Sequence, residues 1–218
     1  MDNRGADICR TCVDCGSVNC DSREKTYPEF CLTEKLDEET IEKIRCLYED
    51  EENNRISVTS AVIENEFYLR YTRVEETIEF AKRMGFKKIG IATCVGLLRE
   101  SRVLAGILRE NGFQVFSAAC KVGSFKKEDV GVSAKNITKT GPFMCNPIMQ
   151  AELLNREGTE LNIVMGLCVG HDSLFYKYSE ALVTTLVSKD RVLAHNPAGA
   201  LYQIDSYYKK LKNGAGTE

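Results

Sequence analysis

The chain has 218 residues, 43% hydrophobic and 28% charged, which fits one sizeable globular domain with a small appendage and leaves no room for two large domains. No apolar run reaches the roughly 18 residues of a membrane span, and the first residues, with Asp2 and Asp7, lack the basic and apolar regions of a signal peptide, so a cytoplasmic protein is expected. The net charge of −3, with basic and acidic residues interleaved, excludes a polyanion-binding surface, and no nucleic-acid partner is expected.

Ten cysteines are the unusual feature. In a reducing cytosol such a count reads as metal ligands or catalytic thiols rather than disulfides. With only His171 and His195 beside them, any metal site must be sulfur-rich.

In chain order, residues 1–35 form a cysteine-rich, metal-binding segment without sustained hydrophobic period, and residues 36–218 form an α/β domain. Its first part, 36–85, reads as helices. Ile41, Ile44 and Tyr48 share one helix face, Ile56 to Leu69 forms a second helix, and Thr72 with Glu75 opens a third that Gly85 stops. Its second part, 86–218, alternates strand and helix. Strands are expected over Lys87–Cys94, Gln114–Cys120, Leu161–Cys168 and Leu182–Ser188. Helices are expected over Leu97–Glu110, from Asn146-Pro147 to before Gly158, over His171–Ser179, and over Ala198–Leu211, where Tyr207-Tyr208-Lys209-Lys210 is the frayed end. Such alternation predicts a three-layer Rossmann- or flavodoxin-like, mostly parallel sheet with the helices before residue 86 packed against it.

The N-terminal spacing is Cys9-x2-Cys12-x2-Cys15-x4-Cys20-x10-Cys31. Four such thiolates can enclose a tetrahedral Zn²⁺, and metal binding replaces the core that so short a segment lacks. The preferred ligands are Cys12, Cys15, Cys20 and Cys31, with Cys9 left over. The set Cys9, Cys12, Cys15 and Cys20 competes and invites an iron–sulfur reading, although the ferredoxin run needs three residues before its fourth cysteine and a proline after it.

A second cysteine set sits at the predicted strand ends. Cys94-Val95-Gly96, Cys168-Val169-Gly170 and Cys120-Lys121-Val122-Gly123 each place a thiol at the C-terminal end of a strand with glycine close behind. Ligands of open α/β sheets bind at that edge. If the strand order is 2-1-3-4, Cys94 and Cys168 face each other across the switch point. Cys145, beside a helix N-terminus, and His171, with Asp172 placed to orient its imidazole, join them. A single cysteine closing an apolar strand is more often packing than chemistry, and only the repetition lifts this set above that reading. Cys46 beside a helix stripe reads as packing, and His195 as a hydrogen-bonded turn residue.

The sequence resembles a known family through a specific set of motifs. These are the N-terminal cysteine spacing, Gly90-Ile91-Ala92-Thr93-Cys94, Met144-Cys145-Asn146-Pro147 with Gln150-Ala151-Glu152, and Gly166-Leu167-Cys168-Val169-Gly170-His171-Asp172. The run from Lys189-Asp190-Arg191 to His195-Asn196-Pro197 completes it. The family is one of prokaryotic cysteine-rich metal-binding proteins carrying a domain of unknown function. The resemblance implies a metal partner, a bacterial or archaeal source and Cys12, Cys15, Cys20 and Cys31 as ligands. It supplies no reaction or substrate.

Three functions are therefore carried forward. The first is a metalloprotein with a structural four-cysteine zinc site and a second metal or iron–sulfur cluster held by Cys94, Cys120, Cys145 and Cys168, with His171 as ligand or proton donor. The second is a thiol enzyme using Cys168 or Cys94 with His171 on a small anionic substrate. The third is a non-enzymatic sensor or binding module. With neither a Walker-type loop nor a Gly-x-Gly-x-x-Gly after any predicted strand, nucleotide cofactors are not indicated, and the sequence does not indicate an oligomeric state.

Overall fold

Two strands are apolar enough to be enclosed on both sides. β1 (Lys88–Thr93) and β3 (Leu161–Met165) are buried along almost their whole length, the pattern of interior parallel strands rather than of a sheet with one wet face. The computed structural model describes residues 9–23 and 26–213, so Asp2 and Asp7 lie outside the described residues. β2 (Gln114–Ala119) and β4 (Leu182–Val187) complete an all-parallel sheet in the order β2-β1-β3-β4.

Alternation of side chains assigns each face its helices. Ile89 and Ile91 of β1 point with Leu161, Ile163 and Met165 of β3 into one core, closed by Ile78 and Ala81 of α3 (Arg73–Arg83) and by Leu104, Ala105 and Leu108 of α4 (Leu98–Glu110). The opposite face carries Ala92, Val164 and Leu167 against Ala151 and Leu154 of α5 (Pro147–Arg156) and Phe175 of α6 (His171–Tyr178). The result is the expected three-layer α/β sandwich.

Local signals placed these elements. Thr72 and Glu75 cap α3 reciprocally, with the Thr72 N–H donating to Glu75 Oε2 at 2.7 Å. Asn146 Oδ1 accepts from the Met149 N–H at 3.0 Å, and Pro147 opens α5. Asn111 and left-handed Gly112 close α4.

The chain divides into two units, Met1–Val58 and Thr59–Glu218, and the sheet lies wholly in the second. α1 (Glu38–Glu49) is capped by Asp37, which accepts from the Thr40 N–H, and buries no residue. Ile41, Ile44 and Tyr48 are exposed, while α3, in the second unit, packs on the sheet. Cys46 is exposed as well, which removes its packing role. α2 (Glu51–Phe67) starts five residues earlier than expected and buries only Ile63.

Two predicted elements are shorter than expected. β3 stops at Met165 because Gly166 takes a left-handed φ of 66° and turns the chain, which puts Cys168 in a loop beyond the strand. The closing helix ends as α7 (Ala198–Tyr202), a turn and a half with no buried residue. Beyond it Ser206 Oγ hydrogen-bonds Gln203, and the Tyr208 N–H reaches the Gln203 carbonyl, so local bonds replace a helix that has no core to pack on.

Gly90 sits in a tight space between the Asn162 side chain of β3 and Leu154 of α5. A Cβ there would lie 2.0 Å from Asn162 Oδ1 and 3.1 Å from Leu154 Cδ1. Asn162 cannot move freely, because its Oδ1 accepts from Thr159 Oγ1 and its Nδ2 donates to Ser179 Oγ. Gly90→Ala is expected to cost about 1–3 kcal/mol of stability, measured by urea unfolding, whereas Gly106→Ala, which meets nothing within 4 Å, should not destabilise.

Candidate metal centre at the sheet edge

Parallel strands deliver all their C-terminal ends to one edge, and four cysteines meet there. Cys94 follows β1 directly, its N–H bonded to the Met165 carbonyl of β3. Cys120 follows β2, with its N–H on the Thr93 carbonyl, and its own carbonyl accepts from the Asn146 N–H at 2.7 Å. That last bond ties Cys145 to the same corner. Cys168 lies in the loop after β3, where its carbonyl accepts from the N–H groups of His171 and Asp172 at the start of α6. Cys94, Cys120, Cys145, Cys168 and His171 line one pocket with Gln150 and Leu167.

The sulfurs have donors aimed at them. The Gly96 N–H points to Cys94 Sγ and the Val95 N–H to Cys120 Sγ, both at 3.4 Å. Arg191 Nη2 donates to Cys168 Sγ at 3.1 Å. Three of the thiols share protons. The Cys120 S–H lies between its neighbours and, with the Gly96 N–H and Lys189, holds Cys94 down at about 4. Cys120, with the charges of Lys121 and His171, likewise holds Cys145 at about 5. Cys120 itself is driven upward, by Cys145 first, then Cys94, then burial. Cys94 and Cys145 are thus held down and Cys120 pushed up, each by its thiol neighbours.

Two polar groups in this lining lack partners. Gln150 is fully buried, and its Nε2 donates to the carbonyls of Thr93 and Ala118, which fixes the amide and leaves Oε1 unsatisfied. His171 Nδ1 is also buried without a partner. Asp172 does not orient it, since its Oδ1 is taken by the N–H groups of Gly170 and Ser173. His195 is a turn residue, with Nδ1 accepting from the Asp190 N–H at 3.1 Å.

Sequence reasoning missed the cations and the amide. Lys189 and Arg191 lie just past β4, and the rule that found the cysteines, residues following a parallel strand, would have found them too. Gln150 stands one helical turn after the Asn146 cap, a polar residue on an otherwise apolar buried face.

In the first unit, Cys12, Cys15, Cys20 and Cys31 line a second pocket with Asn19, Tyr27 and Phe30, while Cys9 is exposed and outside that lining. The Ser17 hydroxyl, 3.5 Å from Cys15 Sγ, lowers the Cys15 pKa, helped by backbone N–H groups of Val18 and Ser17. Among the described residues, no three His, Cys, Asp or Glu side chains stand ready at metal-coordinating positions, so either pocket must turn its thiols inward to close on an ion.

Comparison with known proteins now places the chain. A family described as "Protein of unknown function (DUF1847)" matches residues 31–186. The chain belongs to that family. A relative from the archaeon Methanocaldococcus jannaschii, the uncharacterised protein MJ0455, is 50% identical over 187 residues, 85% of this chain and 95% of its own. Two solved structures of Dph2 from Pyrococcus horikoshii, one described with a 4Fe-4S cluster, overlay at TM-scores of 0.36 and 0.34 with 19% and 18% identity. They cover 66% and 65% of this DUF1847 chain, which spans about a third of the Dph2 chain. No described helix is long and apolar enough to cross a membrane.

The thiolates give a measurable signature. Alkylation of half-buried Cys145 by iodoacetamide should run at an unchanged rate from pH 8 down to about 6 and fall as pH drops through about 5. Lys189→Met should move the corresponding fall for Cys94 upward in pH, followed by mass spectrometry of each peptide.

Proposed function

We propose that this protein is a cytoplasmic metalloprotein whose working centre is a thiolate-bound soft metal, a single ion or an iron–sulfur cluster, at the sheet edge. Cys94, Cys120, Cys145 and Cys168 are the ligands, and His171 is a fifth ligand or a proton donor. The observation that carries the reading is the convergence of four cysteines from three connections, those after β1, β2 and β3, on one pocket, with two unpartnered polar groups in its lining. Soft sulfur ligands in such number select zinc, copper(I) or iron–sulfur over hard cations. Backbone N–H groups at Cys94 and Cys120, with Lys121, Lys189 and Arg191 nearby, suit a complex whose several thiolates leave it negative overall.

The N-terminal pocket is assigned a structural zinc on Cys12, Cys15, Cys20 and Cys31. A segment with little buried surface depends on such a cross-link. A second reading of the sheet-edge site is a thiol enzyme acting through Cys168. It is favoured by the Arg191 guanidinium, which donates to the half-buried Cys168 sulfur at 3.1 Å.

Anaerobic purification followed by elemental analysis and a visible spectrum tests the assignment. Two metal sites are expected, one lost in Cys12→Ser/Cys20→Ser and the other in Cys94→Ser/Cys168→Ser. Coloured protein would identify the sheet-edge centre as iron–sulfur. A single zinc, unchanged by Cys94→Ser/Cys168→Ser, would end the two-site reading and leave the thiol enzyme.

A further inference from the structure

The loop after β4 brings two cations to the thiol pocket on a tightly hydrogen-bonded backbone. Residues 189–197 fold into a compact turn. Asp190 Oδ1 accepts from the N–H groups of Val192 and Leu193 at 2.8 Å, the Asp190 carbonyl accepts from the His195 N–H, and the Asp190 N–H donates to His195 Nδ1. Two consecutive non-glycine residues, Ala194 and His195, sit at φ 51° and 64°, a left-handed pair that side chains resist and that only surrounding bonds sustain. The turn projects Lys189 and Arg191 on either side of Asp190, Lys189 toward Cys94 and Arg191 onto Cys168 Sγ. Lys189 Cε and Nζ lie at ordinary contact distance, 3.5 Å, from where a Gly166 Cβ would stand, while Leu97 Cδ1 at 2.2 Å is the atom for which the glycine makes room.

Neither cation is used elsewhere. Among the described residues no carboxylate pairs with Lys189 or Arg191, and Cys168 is the one hydrogen-bond partner of Arg191. An arginine fork has five N–H donors, and a single sulfur engages one of them. The arrangement matches an oxyanion, which an Arg fork grips with two parallel bonds while a lysine supplies a point charge.

We propose that Lys189 and Arg191 bind a small oxyanion, a carboxylate or a phosphate group, beside the thiol pocket, on the guanidinium N–H groups that Cys168 Sγ leaves free.

Titration calorimetry with inorganic phosphate and, separately, malonate, in chloride buffer, tests this on the full chain. One of the two probes should bind, and which one names the ligand as phosphate or carboxylate. Lys189→Gln/Arg191→Gln should weaken that binding roughly tenfold or more, and Arg191→Lys, which keeps the charge and loses the fork, should fall between. Unchanged binding in the glutamine variant, or no binding of either probe, overturns the proposal.

Discussion

The parallel pairing of β1 with both β2 and β3 is the constraint on which the rest depends. Because the strands run the same way, every connection must cross back over a face of the sheet, and every strand must end at the same edge. The apolar sequences Ile89-Gly90-Ile91-Ala92 and Leu161-Asn162-Ile163-Val164-Met165 are buried on both faces and leave those strands no alternative position. The edge at which Thr93, Ala119 and Met165 stand in register is therefore where the following residues collect, and those residues include Cys94, Cys120 and Cys168.

The chemistry of the pocket follows from that crowding. Thiols forced side by side cannot all ionise independently, and this crowding pushes Cys120 up while its hydrogen bonds hold Cys94 and Cys145 down. Lys121, His171, Lys189 and Arg191 favour the released form, so the pocket gathers soft, anionic donors within an electropositive surround. The unsatisfied Gln150 Oε1 and His171 Nδ1 add two further groups in the same lining that await partners.

Much of this was legible in one sequence. The capping pair Thr72 and Glu75, the Asn146-Pro147 helix start and the glycine after α4 carry their conformational preference in a few neighbouring residues, and each appears where it was expected. Errors arose where local preference had no tertiary partner or met an opposing one. Ala198 to Leu211 has helical spacing but nothing to pack against, so it breaks after Tyr202. The apolar run through Cys168 is interrupted at Gly166, whose left-handed turn moves that cysteine out of the strand. On α1 the stripe of Ile41, Ile44 and Tyr48 has the right period but no buried surface.

The N-terminal cysteine spacing and the thiols at the strand ends were determined by the sequence alone, because residue type and interval are local facts. The convergence of the loops that carry them was not. That Cys145 joins Cys120 through the Asn146 N–H, that Gln150 turns its oxygen without a partner into the lining, and that a strained turn carries Lys189 and Arg191 to the sulfurs are matters of long-range placement. Proton sharing, charge and reactivity fall off over a few ångströms, whereas these residues stand tens of positions apart in the chain. Only the folded sheet brings them within that range.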